Sequence, residues 1–157
     1  MGGVADGRMT DPDALADRLA EVYLVVGPLY RRVLREVEAD GPGAGVSAGV
    51  RAVLDLLHRT GPMTVPQMGR AQSLSRQFVQ RMVNDAREAG LVERVDNPAH
   101  RRSGLVRLTP EGHRTIGAIT EWEHARLRTL AGRVTGDDVE ATLRVLRAML
   151  GELDETE

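Results

Sequence analysis

From Asp11 onward, apolar residues fall at Leu15, Leu19, Val22, Val26, Leu29, Val33 and Val37, mostly four and three positions apart. That spacing keeps them on one stripe of a long helix with a heptad-like seam. Asp11 is placed to cap the helix with Pro12 in its first turn. Pro28, which lacks a backbone donor and crowds the preceding turn, is expected to kink it near the middle. Gly41, Pro42, Gly43 and Gly45 end it. A second helix, starting at Ser47, gathers Val50, Val53, Leu54 and Leu57 on one face and closes at Gly61-Pro62. Thr64 opens a short third helix over about Val65 to Ala71, with Pro66 in its first turn. After Gln72-Ser73-Leu74 a fourth helix begins at Ser75. Its inner face is predicted to hold Val79, Met82, Val83 and Ala86, with Phe78 toward the same side, and Gly90 stops it.

Beyond Gly90 the period shortens. Leu91 to Val95 and Leu105 to Thr109 are rich in Val and Leu and read as two strands joined by the polar loop DNPAHRRSG. Thr109-Pro110-Glu111 starts a fifth helix running to about Gly132, and Gly136-Asp137-Asp138 starts a sixth, in which Val139, Leu143, Leu146, Leu150 and Leu153 recur at intervals of four and three. The expected fold class is mainly α with a small β hairpin. Two short helices joined by a tight turn and followed by a hairpin make a winged helix-turn-helix region over 46–114. Residues 1–10 form a flexible start, and the helices of 11–45 and 115–157 lie outside the winged region. Their two apolar stripes have little domain left to cover them, so each needs a partner surface, which a second copy of the chain supplies.

Composition excludes several classes of function. The chain has no cysteine, which removes disulfides, thiolate metal sites and thiol nucleophiles. Aromatic residues are only 3%, so the core must be built from Leu, Val, Ala and Met. The opening MGGVADGRMTDPD has neither a basic cluster nor an apolar core, and no run approaches the ~18 apolar residues of a membrane span. A cytoplasmic protein with no membrane partner is expected. No phosphate-binding loop, nucleotide-binding glycine turn or nucleophile motif is present, so neither an enzyme nor a cofactor is expected. The histidines are His58, His100, His113 and His124. His113 and His124 would share one helix about 16 Å apart at its usual rise, too far to ligate one ion, and no metal is expected.

Charge changes the picture most. The net charge is −2, but residues 59–114 carry ten arginines against five acids, while 1–45 carry five against eight and 115–157 five against nine. A basic middle between acidic ends suits a polyanion. In the fourth helix Ser75, Arg76, Gln77, Gln80 and Arg81 fall on the outer side, and Arg and Gln are the side chains that make paired hydrogen bonds to guanine and adenine edges in a major groove. Arg101 and Arg102, beside His100 and Ser103, sit at a loop tip able to enter a minor groove. Arg94 and Arg107 on the flanking strands suit phosphates, which position a protein without reading sequence. An alternative use of the same features is a winged protein-interaction module whose basic tip meets an acidic partner.

The stretch LSRQFVQRMVNDAREAGLVERVDNPAHRRSGLVRLTPEGH, together with six helices and a hairpin between the fourth and fifth, resembles the multiple-antibiotic-resistance regulator (MarR) family of bacterial transcription factors over nearly the whole chain. The resemblance implies a homodimer, paired through its terminal helices, that binds an inverted repeat in double-stranded DNA as a regulator, a repressor in this reading. By position, Ser75, Gln77, Gln80 and Arg81 would contact bases and nearby phosphates, Arg101 would enter the minor groove and Arg102 would support the wing. Many members carry an acidic residue where His100 stands here; Asp96 is the nearest substitute, and a titrating His100 would make DNA affinity vary mildly with pH. The family also implies a small aromatic or phenolic acid bound between the dimerisation helices and the winged region, with Tyr23, Tyr30, His58, Met63, Met68 and Trp122 as candidate lining residues.

Overall fold

A computed structural model describes residues 11–99 and 103–154. The expected flexible start at 1–10 lies outside them. The elements follow in the order α1 (Pro12–Asp40), α2 (Ala48–Thr60), α3 (Val65–Gln72), α4 (Arg76–Glu88), β1 (Val92–Val95), β2 (Leu105–Leu108), α5 (Pro110–Leu127), a 3-10 turn (Arg128–Leu130) and α6 (Gly136–Asp154).

Local chemistry accounts for most of these boundaries. The Asp11 side chain accepts from the Asp13 amide to begin α1, and the helix is continuous through Pro28 for 29 residues, about 44 Å at the usual rise. Ser47 caps α2 by accepting from Val50. Thr64 and Gln67 form a reciprocal capping box at α3, with the Thr64 amide donating to Gln67 Oε1 at 2.8 Å and the Gln67 amide to Thr64 Oγ1 at 3.3 Å. Between α3 and α4 the backbone turns through Ser73 at φ 50°, in the left-handed region. There the chain closes so tightly that a Cβ on Gly69 would lie 2.9 Å from the Leu74 carbonyl oxygen. This is the helix-turn-helix.

The hairpin β1–β2 is antiparallel, with Val92 opposite Leu108 and Glu93 opposite Arg107. Met63, in the link between α2 and α3, adds an isolated bridge to β2: its amide donates to the Val106 carbonyl at 3.0 Å and its carbonyl accepts from the Val106 amide at 2.8 Å. The base of the wing is thereby tied to the helix-turn-helix by backbone hydrogen bonds. Thr109 closes the other side, its hydroxyl donating to the Gly90 carbonyl at 2.7 Å and accepting from the Gly112 amide at 3.0 Å.

One hydrophobic core joins these parts. Val53 and Leu54 of α2, Met68 of α3, Val79, Val83 and Ala86 of α4, Val106 of β2 and Ile116 of α5 are essentially inaccessible to solvent. The predicted inner faces of α2 and α4 are thus the observed ones, with one exception. Phe78 is 42% exposed. On α4 and its cap, Ser75 through Phe78 are all exposed and burial begins at Val79, so the first turn projects beyond the core and Phe78 goes with it. The fifth helix is also shorter than its pattern predicts, passing from α-helix to a 3-10 turn at Arg128.

The terminal helices behave differently. Val37 is buried, and Gly43 in the following turn approaches α5 so closely that a Cβ there would lie 2.8 Å from Ile119 Cδ1. Farther out, Leu29 is 60% exposed, and Leu150 and Leu153 of α6 are comparably open. Val22, Tyr23 and Val26 of α1 and Leu146, Leu150 and Leu153 of α6 line an almost wholly apolar groove of about 230 Å³. None of the helices among the described residues is long and apolar enough to cross a membrane.

Candidate nucleic-acid interface

The outer face of α4 is set by its inner one. With Val79, Met82, Val83 and Ala86 buried, the 3.6-residue period turns Arg76, Gln77, Arg81 and Asn84 outward, and all four are exposed. Ser75 caps the helix, its hydroxyl oxygen accepting from the Phe78 amide at 3.2 Å, which fixes where the helix starts and leaves the hydroxyl proton to donate. Gln80 is half-buried and donates from Nε2 to Asn84 Oδ1 at 3.0 Å, one turn along the same face. The Arg81 guanidinium lies 5.4 Å from the centre of the Phe78 ring, within the range of a cation–π contact. Arg76 and Gln77 make no hydrogen bond or ion pair among the described residues.

On the wing, Arg107 Nε meets Glu93 Oε1 at 2.7 Å across the strand pair. Both side chains are about half exposed, so this cross-strand pair offsets part of the basic charge without being shielded from solvent. Arg94 is exposed and lies along the loop, close enough to Gly104 that a Cβ there would be 3.3 Å from its Nε. The loop opens with the Ala99 amide donating to Asn97 Oδ1 at 3.0 Å. His100, Arg101 and Arg102 lie outside the described residues. Asp96, the substitute acid, is exposed at the start of this loop.

The six candidate ligand-pocket residues are not brought together within one chain. Trp122 borders a cavity of about 540 Å³ between α1 and α5, where Val33, Glu36, Glu123, Arg126 and Leu130 also line the wall. Arg126 stacks 4.8 Å from the Trp122 ring centre and reaches Glu36 at 2.8 Å. Glu123 points from the same wall to Arg51 of α2 at 2.6 Å. Tyr23 lies in the separate groove against α6, and Tyr30 is exposed. His58 is exposed and meets His113 edge-on at 6.2 Å, Met63 belongs to the wing bridge, and Met68 is a core residue. Sequence reasoning missed Glu36, Glu123 and Arg126; the four-residue spacing of Trp122 and Arg126 on one helix was the available signal.

Helix-turn-helix, bridged hairpin and long flanking helices recur together in a solved structure. A crystal structure of a MarR family transcription regulator superposes with a TM-score of 0.73 at 32% identity, covering 92% of this chain and 95% of that one. The chain belongs to the MarR family. The MarR family model itself matches residues 44–103, from the turn before α2 into the wing loop. MarR from E. coli, in a cysteine-to-serine mutant complexed with operator DNA, shares the fold with a TM-score of 0.70 at 22% identity, covering 90% of this chain and 99% of that one. An uncharacterized protein of Mycobacterium tuberculosis is 42% identical over 88 residues, 56% of this chain. That match spans 62% of the mycobacterial protein's length. The MarR fold, with its DNA-binding winged helix, therefore frames both the face of α4 and the wing.

Proposed function

We propose that this MarR family chain is a homodimeric, sequence-specific regulator of transcription that grips double-stranded DNA with α4 in the major groove and the wing beside it. The observation that carries this reading is the outer face of α4: a polar, cationic surface of the exposed Arg76, Gln77 and Arg81 beside a hairpin that bears further arginines. Ser75, Gln77, Gln80 and Arg81 are assigned to bases and nearby phosphates. Arg94 and Arg107 are assigned to phosphates, and Arg101, supported by Arg102 and His100, to the minor groove. The exposed stripes of α1 and α6 are assigned to the dimer. A two-fold pair would set two α4 helices about 34 Å apart on an inverted repeat, where bound protein would block transcription as a repressor.

The cavity at Trp122 supports a regulatory ligand. Its walls are largely apolar, with Arg126 stacked on the ring, which suits a small aromatic or phenolic acid. It adjoins Glu123, whose ion pair with Arg51 joins α5 to the helix leading into the helix-turn-helix, so a ligand there would bear on the orientation of α4. To test the reading, purified protein is incubated with sheared genomic DNA from its source, and the bound fragments are recovered and sequenced. Enrichment of an inverted repeat, with affinity falling steeply as salt rises, is the expected result. No enrichment even at low salt would overturn it and favour a protein partner for the winged region.

A further inference from the structure

The chain contains one phenylalanine, and it is exposed on the face of α4 assigned to DNA. The core does not need it: Val79, Met82, Val83 and Ala86 already fill the inner side of α4. Nor is it a cap residue, since Ser75 satisfies the first turn through the Phe78 amide alone. Its ring lies beside Arg81, with the Arg81 guanidinium 5.4 Å from its centre.

We propose that Phe78 is a specificity-determining residue that reads the C5-methyl group of a thymine next to a guanine bound by Arg81. This inference rests on the assignment of α4 to the major groove. In that groove the thymine methyl is the distinctive apolar feature among the base-pair edges, and a phenyl ring is suited to contact it, whereas Arg seeks guanine O6 and N7. Successive base pairs rise by about 3.4 Å, so two side chains held 5.4 Å apart on one helix face address the same or neighbouring steps. Stacking against Phe78 also restricts the Arg81 rotamers before DNA arrives, which reduces the entropy lost on making a paired contact to guanine. A phenyl ring in water gains nothing from its exposure; removing it and a methyl group together from water is favourable.

The test uses duplexes selected by the full-length protein from a random-sequence pool. Each thymine of the selected site is replaced in turn by deoxyuridine, which removes the methyl group and leaves the base pair intact. Wild-type protein is expected to lose about fourfold in affinity at one thymine per half-site, the value of one buried methyl group, and that thymine should adjoin a guanine. Phe78→Ala should bind the parent site more weakly and lose this methyl sensitivity at that position alone, while Phe78→Leu, which keeps an apolar contact, retains part of it. Thermal melts of both variants should match wild type, because the ring is outside the core. Methyl sensitivity that survives in Phe78→Ala, or its absence in wild type, overturns the assignment of Phe78 while leaving DNA binding intact. A protein that selects no duplex at all overturns the DNA-binding reading and this inference with it.

Discussion

Arg107 and Arg94 occupy adjacent parts of one small hairpin, yet their electrostatic situations differ. Glu93 already engages Arg107 at 2.7 Å, whereas Arg94 is exposed with no ion pair among the described residues. Glu93→Gln should therefore strengthen binding to any duplex and steepen its salt dependence, while Arg94→Ala should weaken all duplexes alike and reduce the log–log salt slope by about one. Fluorescence anisotropy across a salt series measures both. Arg81→Ala should act differently, costing at least about tenfold on the selected operator and little on random DNA, since a base contact carries discrimination that a phosphate contact does not. A separate residue-level effect lies at the start of α6, where Asp138 Oδ2 accepts from both the hydroxyl and the amide of Thr135. The side-chain hydrogen bond from Thr135, followed by the backbone one, holds the Asp138 carboxyl below its ordinary value of 3.8. A lowered folded value means that the stabilisation is present above 3.8 and is lost as pH falls through the folded value. Helix content lost below that pH should be smaller in Asp138→Asn than in wild type, as read by circular dichroism.

At the scale of elements, the junctions between them are tighter than their sequence suggests. Gly112, in the first turn of α5, packs so closely on the link between α4 and β1 that an added Cβ would stand 2.0 Å from the Leu91 carbonyl oxygen, a backbone atom that cannot rotate away. Gly112→Ala should destabilise the protein by about 1–3 kcal/mol or more, whereas Gly117→Ala on the same helix, with open space around it, should stabilise by roughly 0.5–1 kcal/mol. Thermal unfolding of the pair separates a junction effect from a helix-propensity effect. The hairpin follows the same logic. Its two strands are only four residues each, too short to persist alone, and they are held by the Met63 bridge and the Thr109 hydrogen bonds to Gly90 and Gly112. The wing is thus an extension of the core rather than an appended loop.

For the whole molecule, the division of the chain at 114/115 falls inside α5. Just past that division, Ile116 still completes the core of the winged region; one turn later Ile119 meets Gly43 beyond the end of α1. One helix is therefore shared between the part assigned to DNA and the part assigned to the dimer, and the Arg51–Glu123 pair reinforces the same junction. The outer halves of α1 and α6 leave Leu29, Leu150 and Leu153 in contact with solvent. If a second copy covers them, Leu150→Glu should raise the dimer dissociation constant by about two to four orders of magnitude, because symmetry removes each buried leucine twice. Sedimentation velocity over a concentration series would register the monomer, and operator affinity should fall in parallel.

Sequence by itself determined the order of the elements, their caps and nearly all of their inner faces. Ser47, Thr64, Ser75 and Thr109 each satisfy an amide three residues on, and apolar periodicity acts within a few turns, so both signals are local. The candidate DNA surface was legible for the same reason: the outer side of α4 is what its inner side leaves over. Only tertiary structure decided how far the core reaches along each helix. That is why Phe78, apolar and adjacent to Val79, faces outward. Packing also brought Met63 to Val106, Arg51 to Glu123 across 72 residues of chain, and Arg126 to Glu36. Where partners lie far apart in sequence, no local period records the pairing, and it exists only once the helices have packed.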